Sequence, residues 1–162
     1  MLQILEKYHI VHSHLGLAHT LLAILAMAAG ALVVFGRKGT AGHKRVGYVY
    51  AAAMLGVNGT AMGLYHFGSF NLFHIFAIVA LLTLIAGILP ARRQAEGWFA
   101  RHYYCMSWSV VGLYCAFWAE VGVRLFDMRY FWWVVMAASA GTAAAGAFFI
   151  NREAQKLGLT ER

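Results

Sequence analysis

The sequence predicts an all-α fold: an integral membrane helical bundle of five transmembrane helices, N-terminus outside and C-terminus inside. Three observations carry this expectation. Of 162 residues, 62% are apolar and only 12% are charged. The apolar residues gather into blocks of about 20, the length a helix needs to cross a hydrocarbon core. The two-residue alternation of barrel strands is absent, which leaves helices to pair every backbone polar group in lipid.

The blocks read His14–Phe35, Val46–His66, Leu72–Leu89, Tyr103–Leu125 and Tyr130–Ile150. The first is followed, not preceded, by its basic cluster, which favours a retained N-out helix over a cleaved signal peptide. The second carries Gly56, Gly59 and Gly63; the last two form a Gly-x-x-x-Gly pair suited to close backbone approach. It also carries Asn58, which must find a hydrogen-bond partner, a neighbouring helix being the expected one. The third follows a very short connection, Phe67 to Asn71, and so forms an antiparallel hairpin with the second. The fourth holds both cysteines, Cys105 and Cys115, about 15 Å apart along a helix and unable to bridge. The fifth bears a small-residue stripe of Ala137, Gly141 and Ala145, read as packing inside the bundle with oligomer contact as the alternative. Tryptophans and tyrosines near helix ends read as interfacial belts, with Trp108 deeper. No linker or clear repeat divides the chain, so residues 1–162 are expected to form a single transmembrane domain.

The net charge of +7 is distributed against a nucleic-acid partner. Arg37, Lys38, Lys44 and Arg45 lie between the first two blocks, Arg92, Arg93 and Arg101 between the third and fourth, and Arg152, Lys156 and Arg162 after the fifth. Only Lys7, Arg124 and Arg129 fall on the other side. The positive-inside rule then sets the orientation, and the lipid bilayer is the expected partner.

Three local features resemble one family. His43-Lys44-Arg45-Val46-Gly47-Tyr48-Val49-Tyr50 is similar to a His-Arg-x-x-Gly-x-x-Tyr opening of a helix. His102 with Met106 is similar to a His-x-x-x-Met pattern, with Arg124 matching an arginine at the far end. The upstream helix opens with His12 and His14 and ends in a short basic loop. Together they resemble the DUF2306 family of bacterial multi-pass membrane proteins over roughly Ser13 to Phe126. Tyr103 and Tyr104 stand where that family is usually basic, and Cys105 replaces its tryptophan. The resemblance implies a bacterial inner-membrane location and carries no activity with it.

The chemistry-bearing feature is the placement of histidine. His9, His12, His14, His19, His66 and His74 fall on the expected outer side, His43 and His102 on the inner. Histidine is costly in lipid and is the commonest transition-metal ligand. His12 and His19 share a helical face about 10 Å apart, and His19 lies too deep to reach water freely. His66 closes the second block, His74 opens the third, and Glu120 sits on the fourth at a similar depth. Imidazoles with a carboxylate suit Zn, Cu or Fe. The candidate ligands are therefore His19, His74, His66, Glu120, His12 and His14, with His19 and His74 foremost. Against this, Glu120 and Arg124 are four apart and can pair with each other, and histidine is tolerated near the water boundary.

A haem b variant has its own logic. His19 and His74 outside, with His43 and His102 inside, resemble the layout of cytochrome b561-like proteins. That resemblance implies bis-histidine haems near each face relaying electrons. His43 and His102 stand before their apolar blocks beside Lys44, Arg45 and Arg101, so binding lipid headgroups or anchoring helix ends competes with cofactor binding. The expected function is electron transfer or metal handling at the outer site. If a metal-bound water did hydrolysis there, Glu120 would be its buried base. The rival is an accessory subunit packing small-residue faces against a larger membrane complex or a second copy. A transporter is less attractive, because few deep charges and no broken helices mark a pathway.

Overall fold

The computed structural model of the protein describes residues 13–64, 70, 72–125 and 128–159. Five helices follow in order: α1 (His14–Phe35), α2 (Ala41–Ala61), α3 (Leu72–Arg93), α4 (Trp98–Leu125) and α5 (Met128–Lys156). Among the described residues there is no strand. The all-helical class is as expected, and α1 has the bounds of its apolar block. The other helices overrun or stop short of theirs, because capping ends a helix and apolarity does not. Thr40 accepts from the His43 N–H and starts α2 five residues before Val46; α2 then stops at Ala61. α4 begins at Trp98 and α5 runs on to Lys156. His43 and His102 therefore lie inside helices, not before them.

Among the described residues, three helical segments are both long and apolar enough to cross a membrane: His14–Phe35, Phe73–Arg93 and Trp132–Lys156, with mean hydropathies of 2.2, 2.4 and 1.7. α2 and α4 are long enough, at 21 and 28 residues, but carry more polar groups, among them Lys44, Arg45 and Asn58 in α2 and Arg101, His102 and Ser109 in α4.

The chain divides into two compact units, Met1–Leu82 and Thr83–Arg162. In the first, α1 and α2 pack antiparallel in one register. A Cβ placed on Gly63 would fall 2.8 Å from Leu15 Cδ2, and one on Gly56 would fall 2.8 Å from Leu22 Cδ1. Leucines seven apart on α1 thus seat on glycines seven apart, Gly56 within α2 and Gly63 in the turn just past its end. Further along the same register lie Ala26 and Ala53, then Ala29 and Tyr50, all buried. The expected Gly59–Gly63 pair is corrected by this register: Gly59 is exposed with nothing within 4 Å of its would-be Cβ. Asn58 is buried, but its amide donates to Met54 O of its own helix at 2.8 Å, one turn back, and not across to a neighbour.

In the second unit α4 and α5 pack antiparallel. The Tyr103 hydroxyl donates to Ile150 O at 2.8 Å, and Cys115 Sγ reaches Ser139 O at 3.6 Å. Tyr103, Ile150 and Ala154 form a buried cluster. Between these contacts a Cβ on Gly146 would meet Val111 Cγ2 at 2.5 Å. Ala137, Gly141 and Ala145 are exposed, and nothing lies within 4 Å of Gly141, so the expected stripe is not what seats α5 on α4. Both cysteines are free, and Trp108 is 42% exposed, not withdrawn into a core.

The seam makes a differential prediction. Gly146→Ala should destabilise by about 1–3 kcal/mol, since overpacking meets a Val111 side chain with few rotamers to escape into. Gly141→Ala should be neutral or stabilising by up to about 1 kcal/mol through helix propensity. Thermal unfolding in detergent separates them, and equal midpoints would contradict the seam.

Candidate histidine sites

Each histidine's chemistry is set by what its ring nitrogens touch. His19 lies on α1 between Leu15 and Leu22, the two leucines that seat on α2, so its side chain meets α2 between Gly63 and Gly56. There its Nδ1 is 2.8 Å from Thr60 Oγ1. The Thr60 hydroxyl has one proton, and its oxygen is 2.7 Å from Gly56 O and 3.0 Å from Val57 O. A carbonyl accepts only, so the hydroxyl donates back into α2 and accepts from His19. Donation from His19 Nδ1 to Thr60 Oγ1 satisfies every contact of that hydroxyl, an arrangement that belongs to the Nδ1–H form of the ring.

His74, at the start of α3, is 2% exposed with its Nε2 buried. Its ring stacks on Phe70, centroids 5.1 Å apart. Burial on this scale holds an imidazole in one orientation.

His102 is held by a different device. Pro90, the one proline in the chain, sits inside α3 near its end. Proline removes a helical N–H, the one that would bond Ala86 O, and presses on the preceding turn. One turn earlier Gly87 has no side chain: a Cβ would fall 2.9 Å from Met106 Sδ and 3.1 Å from Cys105 Cβ. α4 comes close enough for His102 Nδ1 to donate to Gly87 O at 3.0 Å. His102 and Met106, one turn apart, thus clasp a single glycine. His102 thus meets its acceptor through Nδ1–H.

His43 is half-buried in the first turns of α2 with its Nδ1 shielded from solvent. His14 is exposed at the start of α1. Glu120 is exposed on α4, so the expectation that it is a buried base is corrected: its helical phase turns it away from the buried Ala119 side. His9, His12 and His66 lie outside the described residues, as does the side chain of Arg124. Among the described residues, no three of His, Cys, Asp and Glu converge to hold a metal ion. The shared ligand layer of His14, His19, His74 and Glu120 therefore does not form among them as a cluster of three or more.

Thr60 and Gly87 are the residues that inspection for ligands passed over. Both had a signal: Thr60 is the polar residue between two notch glycines, and Gly87 stands one turn before the lone proline.

With this geometry in hand, comparison with known proteins is informative. A family model described as "Predicted membrane protein (DUF2306)" matches residues 16–155. The chain belongs to the DUF2306 family. The match runs through α5, which the motif-based likeness left outside. No curated protein and no solved structure matches the chain. For this DUF2306 chain, the His-x-x-x-Met pattern has a physical reading: histidine and methionine grip the glycine of the facing helix.

The tautomers are checkable. Nitrogen NMR of histidine-labelled protein should show pyrrole-type Nδ1 and pyridine-type Nε2 for His19 and His102. Thr60→Val should remove that preference at His19 and cost about 0.6 kcal/mol, the average for hydrogen bonds between membrane helices. A pyridine-type Nδ1 at either residue in the parent protein would refute the assignment.

Proposed function

We propose that this DUF2306 protein is a bacterial inner-membrane, N-out electron-transfer protein that binds haem b through His19 and His74. The observation that carries the reading is the His19–Thr60 hydrogen bond, which fixes the orientation of the His19 ring. Backing a ligand histidine at Nδ1 with an oxygen acceptor is the usual way proteins orient such a ring. His74 belongs to the same compact unit, and its burial with the Phe70 stack supplies a second imidazole already oriented. Bound haem would supply one-electron transfer. Thr60 holds the proton on the far nitrogen of His19, and the apolar surroundings of His74 lower the local dielectric.

A UV–visible spectrum of detergent-purified protein, before and after dithionite, tests this. A Soret band that shifts on reduction with sharp α and β bands is expected, and it should be lost in His19→Ala and His74→Ala. A spectrum with only the aromatic protein band overturns the reading.

One observation favours a second reading, an accessory subunit. Ala137, Gly141 and Ala145 line an exposed stripe on α5, a surface on which another transmembrane helix can approach closely. Under that reading Gly141→Leu abolishes co-purification of a membrane partner or a second copy while leaving the spectrum unchanged. Unimpaired co-purification of the variant would sink it.

A further inference from the structure

The end of α1 and the start of α2 are joined by a tight basic turn whose hydrogen bonds build a hollow. Gly36 ends α1, its N–H bonded to Leu32 O at 2.9 Å. Lys38 Nζ donates to Val34 O at 3.1 Å. Gly39 turns the chain at φ 78, a conformation that side chains disfavour. The Thr40 hydroxyl then donates to Arg37 O and accepts from the His43 N–H, each at 3.1 Å. That chain of two bonds sets Arg37, Thr40 and His43 around one hollow of about 250 Å³, whose remaining wall includes Leu32, Gly36 and Val46.

The hollow suits an anion. Arg37 lines it, and from Arg37 to Arg45 the chain carries three further cations, Lys38, Lys44 and Arg45, and no Asp or Glu. The first turn of α2 carries no acidic residue, so its dipole and the Ala41 and Gly42 N–H groups are not offset by a local carboxylate. Gly42 itself lines the hollow.

It also continues into grease. Leu32 and Gly36 are shared with a second groove of about 520 Å³, whose other walls are Ala28, Ala31 and Phe35 of α1. The two alanines leave room along the helix, Phe35 is 80% exposed and Leu32 64%, and Gly36 keeps the junction free of a side chain. A cationic hollow opening onto an apolar trough along a helix apolar enough to cross a membrane has the shape and charge of one ligand class.

We infer that this is a binding site for an anionic phospholipid. The phosphate sits among Arg37, His43 and the start of α2, and an acyl chain lies along the Ala28–Ala31–Leu32–Phe35 trough. A free phosphate would use only the hollow; the trough is what selects lipid.

Native mass spectrometry of the full chain in detergent, titrated with phosphatidylglycerol or phosphatidylcholine, tests the site. Phosphatidylglycerol adducts should persist at activation energies that strip phosphatidylcholine. Arg37→Gln should weaken phosphatidylglycerol retention about fivefold, the usual worth of one cation at an anionic surface. Ala28→Phe, which fills the trough and leaves the charge alone, should also weaken it. Arg92→Gln, a cation change outside the site, should not. Equal retention of the two lipids overturns the inference, and so does an equal loss in Arg37→Gln and Arg92→Gln. Displacement of the lipid by inorganic phosphate alone at matched concentration would overturn the lipid in favour of a phosphate site.

Discussion

Close approach of helix backbones where a side chain is missing is the constraint on which the rest of this protein depends. In hydrocarbon, leucine gains nothing by leaving lipid for another leucine, so helices associate through tight packing and hydrogen bonds. Gly56 and Gly63 receive Leu22 and Leu15, Gly87 receives Met106, and Gly146 receives Val111. At two of these seams the approach brings a polar side chain onto the facing helix: His19 onto Thr60, and His102 onto Gly87 O. Tyr103, on the α4–α5 seam, reaches Ile150 O in the same way. The notch comes first and the hydrogen bond follows from it.

The consequence for chemistry is that packing decides protonation. An imidazole in water exchanges its proton between two nitrogens freely. One wedged against an oxygen that can only accept is locked to a single tautomer. Thr60 becomes such an oxygen because its own proton returns to Gly56 O, a bond that exists because α2 is helical there. His102 is set by a notch instead: Gly87 lacks a side chain, so α4 comes close enough for the Nδ1–H to reach the Gly87 carbonyl. Neither Thr60 nor Gly87 is a chemical group of note; each positions a histidine that is.

The two compact units use these devices at different ends of their helices. In the first, the histidine seam lies near the start of α1 and the basic turn near its end, so a candidate redox group and a candidate lipid site occupy opposite ends of one helix pair. In the second, the Gly87 clasp lies where the α3–α4 turn begins, beside Arg92, Arg93 and Arg101. Trp98 lies against His102, centroids 6.4 Å apart, and adds an aromatic side to that histidine's surroundings.

By itself the sequence determined the helical class, the existence of five helices and the membrane setting. Blocks of apolar residues and unpaired backbone groups in lipid admit few other solutions, and the histidine and glycine motifs sufficed to place the chain near its family. Helix ends followed apolarity at His14, Phe35, Leu72 and Leu125; the Thr40 cap moved the start of α2, because hydrogen bonding ignores hydropathy. Which glycines are notches was left to the tertiary structure. Gly56, Gly59 and Gly63 look alike along the chain, and only the register of α1 separates the two that receive leucines from the one that faces outward. The same holds for the site. Glu120 and His19 stand at similar depth in the sequence, yet helical phase leaves one exposed and wedges the other against Thr60, because a one-residue step turns a side chain by about 100°.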